Sequence, residues 1–180
     1  MESTLIRIVI KNEEAMEMLG AHLAQAVGKT GVSLALKGTL GAGKTTLARG
    51  FLRERGYQGT VKSPTFTLIE PYDLLEGVIY HFDLYRLVDS EELELLGIRD
   101  YFVPDAICLI EWPERGAGVL PELDLQVLIN YCEEGRTVQI EATSPQGVDV
   151  LEMLNTLPDF RGLKNEFSAS PRSCGSILSR

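Results

Sequence analysis

Apolar and polar positions along the chain alternate between short apolar blocks and longer stretches of helical spacing. The segment TLIRIVI (4–10) is rich in β-branched residues and predicts an opening strand. GVSLALK (31–37) is short, apolar and bounded by glycine, as a buried strand is, and AICLIEW (106–112) reads the same way. TFTLIEPY (65–72) and GVIYHFDLY (77–85) predict two further strands joined by a short turn around Glu76-Gly77. Between these runs lie the helices. Asn12 is placed to cap one running to about Val27, with Glu13 and Glu14 at its positive end. KTTLARGFLRERG predicts a second, stopped near Gly56, and SEELELLGIRDYF (90–102) a third with a break near Gly97.

Beyond Pro121, LQVLINY and TVQIEAT flank CEEGR and predict a hairpin with a glycine-containing loop. SPQGVDVLEML (144–154) predicts a closing helix, and no internal repeat is visible. The pattern is that of an α/β layer structure with a mixed sheet and an antiparallel carboxyl-terminal hairpin. One domain is expected over residues 1–158. From Arg161 the composition shifts to Ser, Gly, Pro and Arg, so residues 159–180 are expected to form a flexible tail.

Composition narrows the class. With 180 residues, 44% hydrophobic and 24% charged, the chain has the make-up of an ordinary soluble globule able to bury a core. No apolar run approaches the roughly 18 residues of a membrane span. The amino end lacks a basic flank and cleavage site, so neither membrane nor secretion is expected. A net charge of −9 argues against direct nonspecific binding of nucleic acid, so any action on RNA is expected to be indirect, through another protein. Cys108, Cys132 and Cys174 suggest neither a disulfide framework nor a zinc site; reduced thiols and a cytoplasmic location are expected.

One stretch carries specific chemistry. Gly38-Thr39-Leu40-Gly41-Ala42-Gly43-Lys44-Thr45 fits G-x-x-x-x-G-K-[ST], with a predicted strand before it and a helix after it. Glycines let backbone amides converge on an anion at the helix amino end. Residues 39–46, ending in Thr46, are therefore the expected contacts of a nucleoside triphosphate. Lys44 is expected on the β- and γ-phosphates, and the Thr45 hydroxyl on Mg²⁺.

A triphosphate hydrolase also needs an acid at the end of a neighbouring strand to orient metal or water. Two apolar runs end in one, at Asp83 and at Glu111. One is expected to act on the Mg²⁺ shell and the other to position water; spacing does not say which. VKSPTFTLIE sits where a loop can fold over the γ-phosphate, and Thr65 offers a hydroxyl to complete the metal shell. Arg86, just after Asp83, is a candidate for stabilising transferred phosphate or for a surface ion pair. His81, inside an apolar strand, reads as a core residue. Trp112 follows Glu111 and can pack in the core or face the nucleotide or a partner.

The motifs GTLGAGKTT, VKSPTFTLIE, HFDLYRL, ELLGIRDYF and LIEWPERG, in this order and spacing, resemble those of the TsaE family (formerly YjeE). The resemblance runs from about Gly38 to Gly116, with consistent flanking elements to about Leu157. It implies a three-layer P-loop NTPase fold with a mainly parallel sheet, a bacterial ATPase that uses ATP and Mg²⁺, and a role in threonylcarbamoyladenosine modification of tRNA. It also implies association with TsaD and TsaB, with TsaD performing the transfer and ATP turnover resetting the pair. Lys44, Thr45 and Thr65 would then contact phosphate and metal, Asp83 and Glu111 would be the essential carboxylates, and Trp112 a functional neighbour. Thr39 stands where the family often has an acidic residue. The alternative is a P-loop small-molecule kinase, but the middle of the chain has no cluster of arginines to make its lid. A regulatory GTPase would carry N-K-x-D, which is absent. A non-catalytic scaffold that only binds nucleotide is the third reading.

Overall fold

The computed structural model describes residues 4–168. Its strands are β1 (Leu5–Ile10), β2 (Val32–Lys37), β3 (Ile69–Leu74), β4 (Gly77–Asp83), β5 (Ile107–Glu111), β6 (Leu125–Cys132) and β7 (Gly135–Ala142). They form one sheet in the order β1-β7-β6-β2-β5-β4-β3. Apolar runs without alternation take the centre: every residue of β5, and all of β2 except Lys37, is buried. The four inner strands β6, β2, β5 and β4 are parallel. The flanking pairs β1–β7, β7–β6 and β4–β3 are antiparallel, so the sheet is mixed with a parallel core.

Helices α1 (Glu13–Val27), α2 (Lys44–Glu54), α4 (Pro145–Thr156) and α5 (Pro158–Ser168) complete the larger layer, while α3 (Glu91–Leu95) is short. The expected cap of α1 is present, with Asn12 Oδ1 accepting from the Ala15 N–H at 2.8 Å. Alternation along β4 and β5 divides the core. Ile79, Ile107 and Leu109 join the large cluster with Leu19, Leu47 and Phe51. Phe82, Cys108 and Ile110 face a smaller cluster with Leu87, Leu93 and Ile98. The third helix, α3, breaks where expected: Gly97 adopts φ 68° and a 3₁₀ turn, Ile98–Tyr101, follows. The hairpin is also as expected, with Cys132 opposite Gly135 across the Glu133-Glu134 turn.

Two boundaries differ from expectation. The TFT of 65–67 is a turn, and β3 starts only at Ile69. Leu68 donates its N–H to the Pro64 carbonyl at 2.7 Å and adopts φ 63°, which folds the segment back before pairing begins. The folded unit also continues beyond the expected limit at 158. Phe160 on α5 is fully buried in the large cluster, and that burial holds the helix to the domain despite its polar composition. Residues 169–180, the rest of the expected tail, lie outside the described residues.

At the β3 edge, Asp83 donates its N–H to the Leu68 carbonyl at 3.0 Å. This fixes the alternation, so residues 68, 70 and 72 turn their backbone groups to β4 and Pro71 faces outward, exposed.

Candidate nucleotide site

The carboxyl ends of β2, β4 and β5 lie side by side, the place where open α/β sheets bind ligands. β2 runs directly into the 38–43 loop, and Asp83 and Glu111 are the last residues of their strands. Gly38 has φ 147°, and a Cβ there would sit 2.5 Å from the Ile129 carbonyl oxygen, so the loop can leave β2 this closely only with glycine. Gly43 (φ 117°) precedes α2, whose amino end no side chain caps. Its first amides are therefore left for an anion, and the helix dipole favours one.

Lys44 opens α2 and is buried. Its Nζ donates to the carbonyls of Gly38 at 2.7 Å and Thr39 at 3.0 Å, and lies 4.0 Å from the centre of the Trp112 ring. Burial lowers its pKa below the ordinary lysine value, opposed by the charges of Glu111, Asp83 and Glu114. Trp112 holds this place through a left-handed backbone, φ 58°, immediately after β5, and Tyr85 packs on it at 5.0 Å.

Each carboxylate has its own donors. Glu111 Oε1 accepts from the Thr45 hydroxyl at 2.8 Å and lies 2.9 Å from His81 Nε2. Asp83 Oδ2 accepts from the hydroxyls of Ser63 and Thr65, the latter at 2.8 Å, and Oδ1 accepts from the Tyr85 N–H at 3.0 Å. Both acids are almost fully buried. The 61–68 segment is thus tied to Asp83, and the α2 end to Glu111.

A cleft of about 270 Å³ brings together Leu40, Gly41, Gly43, Lys44, Thr45 and Thr46 on one wall. Ser63, Thr65, Asp83, Tyr85, Glu111 and Trp112 form the other. Thr39 and Ala42 do not line it: Thr39 is exposed and gives its carbonyl to Lys44, while Ala42 is buried under the loop. Arg86 is also outside it. Its guanidinium lies over the exposed Phe66 ring at 4.2 Å. Sequence reasoning missed Ser63 as a partner of Asp83, although the Ser63-Pro64 turn marks the place. It also missed Arg136, which donates to the Ala42 carbonyl at 3.1 Å and stacks on Tyr131 at 3.9 Å. Only the docking of the β6–β7 hairpin against the loop brings it there.

The donors around the cleft are hydroxyl and carboxylate oxygens, the hard set that Mg²⁺ takes. Among the described residues no group of three or more His, Cys, Asp or Glu could enclose a metal alone. Thr45 and Glu111 suit a cation that brings phosphate and water as its remaining ligands.

Comparison with known proteins gives the family of the chain. A family model described as "Threonylcarbamoyl adenosine biosynthesis protein TsaE" matches residues 10–139, which contain the loop and both acids. A protein named tRNA threonylcarbamoyladenosine biosynthesis protein TsaE from Haemophilus influenzae is 49% identical over 146 residues, 79% of this chain and 92% of the relative. One of the same name from Bacillus subtilis is 44% identical over 111 residues, 61% and 68% of the two chains. Among solved structures, that of Bacillus subtilis YdiB superposes with a TM-score of 0.68 at 31% identity, covering 84% of this chain and 93% of that one. The chain belongs to the TsaE family, a family of threonylcarbamoyladenosine biosynthesis.

Proposed function

We propose that the chain is a Mg²⁺-dependent ATPase whose turnover serves threonylcarbamoyladenosine modification of tRNA by acting on TsaD and TsaB. The observation that carries the reading is the 2.8 Å bond between the Thr45 hydroxyl and Glu111, beside Lys44 at an uncapped helix end. A hydroxyl and a carboxylate already joined there are a ready pair of oxygen ligands for the cation of a triphosphate.

Lys44 exchanges the Gly38 and Thr39 carbonyls for phosphate oxygens, and the α2 amides receive the rest of the charge. Thr45 and Glu111 would hold Mg²⁺, which would supply neutralisation of the phosphate charge. Asp83, which accepts from three donors, orients the attacking water, and Ser63 and Thr65 bring the 61–68 segment to the same point. Water adds to the γ-phosphorus as the bond to ADP breaks. The net charge of −9 leaves tRNA to the partner proteins.

The test is calorimetric titration with ATP and Mg²⁺, with GTP as competitor, followed by phosphate release alone and with TsaD and TsaB. Binding by the wild type, its loss in Lys44→Ala with the fold retained, and free phosphate as product are expected. Unchanged affinity in Lys44→Ala removes the site, and a phosphorylated metabolite in place of free phosphate makes the chain a kinase.

A further inference from the structure

His81 lies on β4 two residues before Asp83 and pairs with Leu109 in the parallel register, as Asp83 pairs with Glu111. It therefore shares a sheet face with both acids, one step deeper. Its side chain is fully buried, and Nε2 lies 2.9 Å from Glu111 Oε1. An ionised carboxylate oxygen can only accept, so Nε2 carries the proton. Nδ1 is buried and without a hydrogen-bond partner among the described residues. An apolar side chain of similar size would fill this place without stranding a polar atom, so packing alone does not account for an imidazole here.

We propose that His81 is a positioning residue that sets the orientation of Glu111 for Mg²⁺, an inference that rests on the functional reading above. Oε1 has two donors, the Thr45 hydroxyl and His81 Nε2. The first belongs to a group that the nucleotide and its cation recruit. The second belongs to a strand interior that does not move with the loop. His81 thus pins Oε1 independently of what occupies the cleft. No described residue donates to Oε2, which leaves that oxygen for the cation or a water bound to it. Without the imidazole, Glu111 keeps its charge but loses the fixed bond that selects its rotamer. Supporting bonds of this kind typically govern metal affinity and turnover by 10–100-fold.

The experiment compares the full-length wild type with His81→Leu, which removes the donor, and His81→Gln, whose Nε2 can replace it. In the ligand-free wild type, long-range ¹H–¹⁵N spectra should show His81 protonated at Nε2, with a signal that shifts in Glu111→Gln. The Nδ1-protonated tautomer, or a signal indifferent to Glu111→Gln, overturns the proposal. His81→Leu should need about tenfold more Mg²⁺ for half-maximal ATP binding and phosphate release, and should lose at least tenfold in kcat. Its KM for ATP at saturating Mg²⁺ should stay within about threefold, and His81→Gln should recover most of the loss. Unchanged Mg²⁺ dependence in His81→Leu, or equal losses in both variants that track a lower melting temperature, also overturn it. A wild type that binds no ATP defeats the functional reading instead, and the spectra still decide the pairing of His81 with Glu111.

Discussion

Asp83 and Glu111 occupy the same rung of the parallel β4–β5 ladder, yet share no hydrogen-bond donor. Two carboxylates on adjacent strands repel, and each is stabilised by hydrogen bonds of its own. Here the division is complete: hydroxyls of the 61–68 segment and the Tyr85 amide serve one, Thr45 and His81 the other. Their spacing belongs to the sheet, and only the groups around them belong to loops.

This division predicts different phenotypes for the two amides. Glu111→Gln should raise the Mg²⁺ requirement, whereas Asp83→Asn should leave it near wild type and place an NH₂ group against the donors of one carboxylate oxygen. Both should lower kcat by about 10²-fold or more while ATP affinity changes only a few-fold. Phosphate-release kinetics over a Mg²⁺ series check this; wild-type turnover in either variant removes that acid from the reaction.

Gly38→Ala should destabilise the fold by about 1–3 kcal/mol, because its φ of 147° disfavours a side chain and the new methyl would meet the Ile129 carbonyl. Urea denaturation measures it. A loss under about 0.5 kcal/mol would mean that the loop leaves β2 by a different path.

Phe160→Ala tests the place of α5 in the domain. Removing a fully buried phenyl ring should cost about 3 kcal/mol or more, a large share of an ordinary domain's stability. An unchanged urea midpoint would show α5 to be dispensable.

Stability should fall as pH rises above about 9. Burial pushes the Cys108 thiol from 9.0 to about 12, and burial with Glu70 nearby pushes Tyr72 from 10.0 to about 12. Both acids stay protonated in the folded chain up to about pH 12, while the unfolded chain releases their protons from about pH 9 to 10. The unfolded state then binds fewer protons, so the free energy of unfolding declines across that window and is untouched below it. Thermal melts from pH 7 to 11 should show the fall, reduced in Cys108→Ala. Cys108 should also resist alkylation at pH 8.5 in the native protein, which peptide mass spectrometry reads directly.

Much of the site is legible in the sequence because its signals are local. The glycine–lysine loop sits between a strand and a helix, and each acid closes an apolar run, so strand ends and ligand crevice coincide. What is not legible depends on strand order. That β5 rather than β4 adjoins β2 decides that Thr45 meets Glu111, and no spacing along the chain encodes this. The β-branched threonines at 65 and 67 read as strand, but the turn at Pro64–Leu68 and the pull of Asp83 on two hydroxyls outweigh propensity. In α5, polar composition hid a helix whose attachment depends on the deeply buried Phe160.

The outward-facing Pro71 has an effect beyond its own strand. On the open side of β3 the row of amide donors runs Ile69, then a gap, then Asp73 with its exposed carboxylate. An extended segment from another molecule would lose its hydrogen bond at the middle of the contact and meet a negative charge one step later. That margin of the sheet is thereby closed to strand addition, which protects a chain with so apolar a centre from edge-to-edge aggregation.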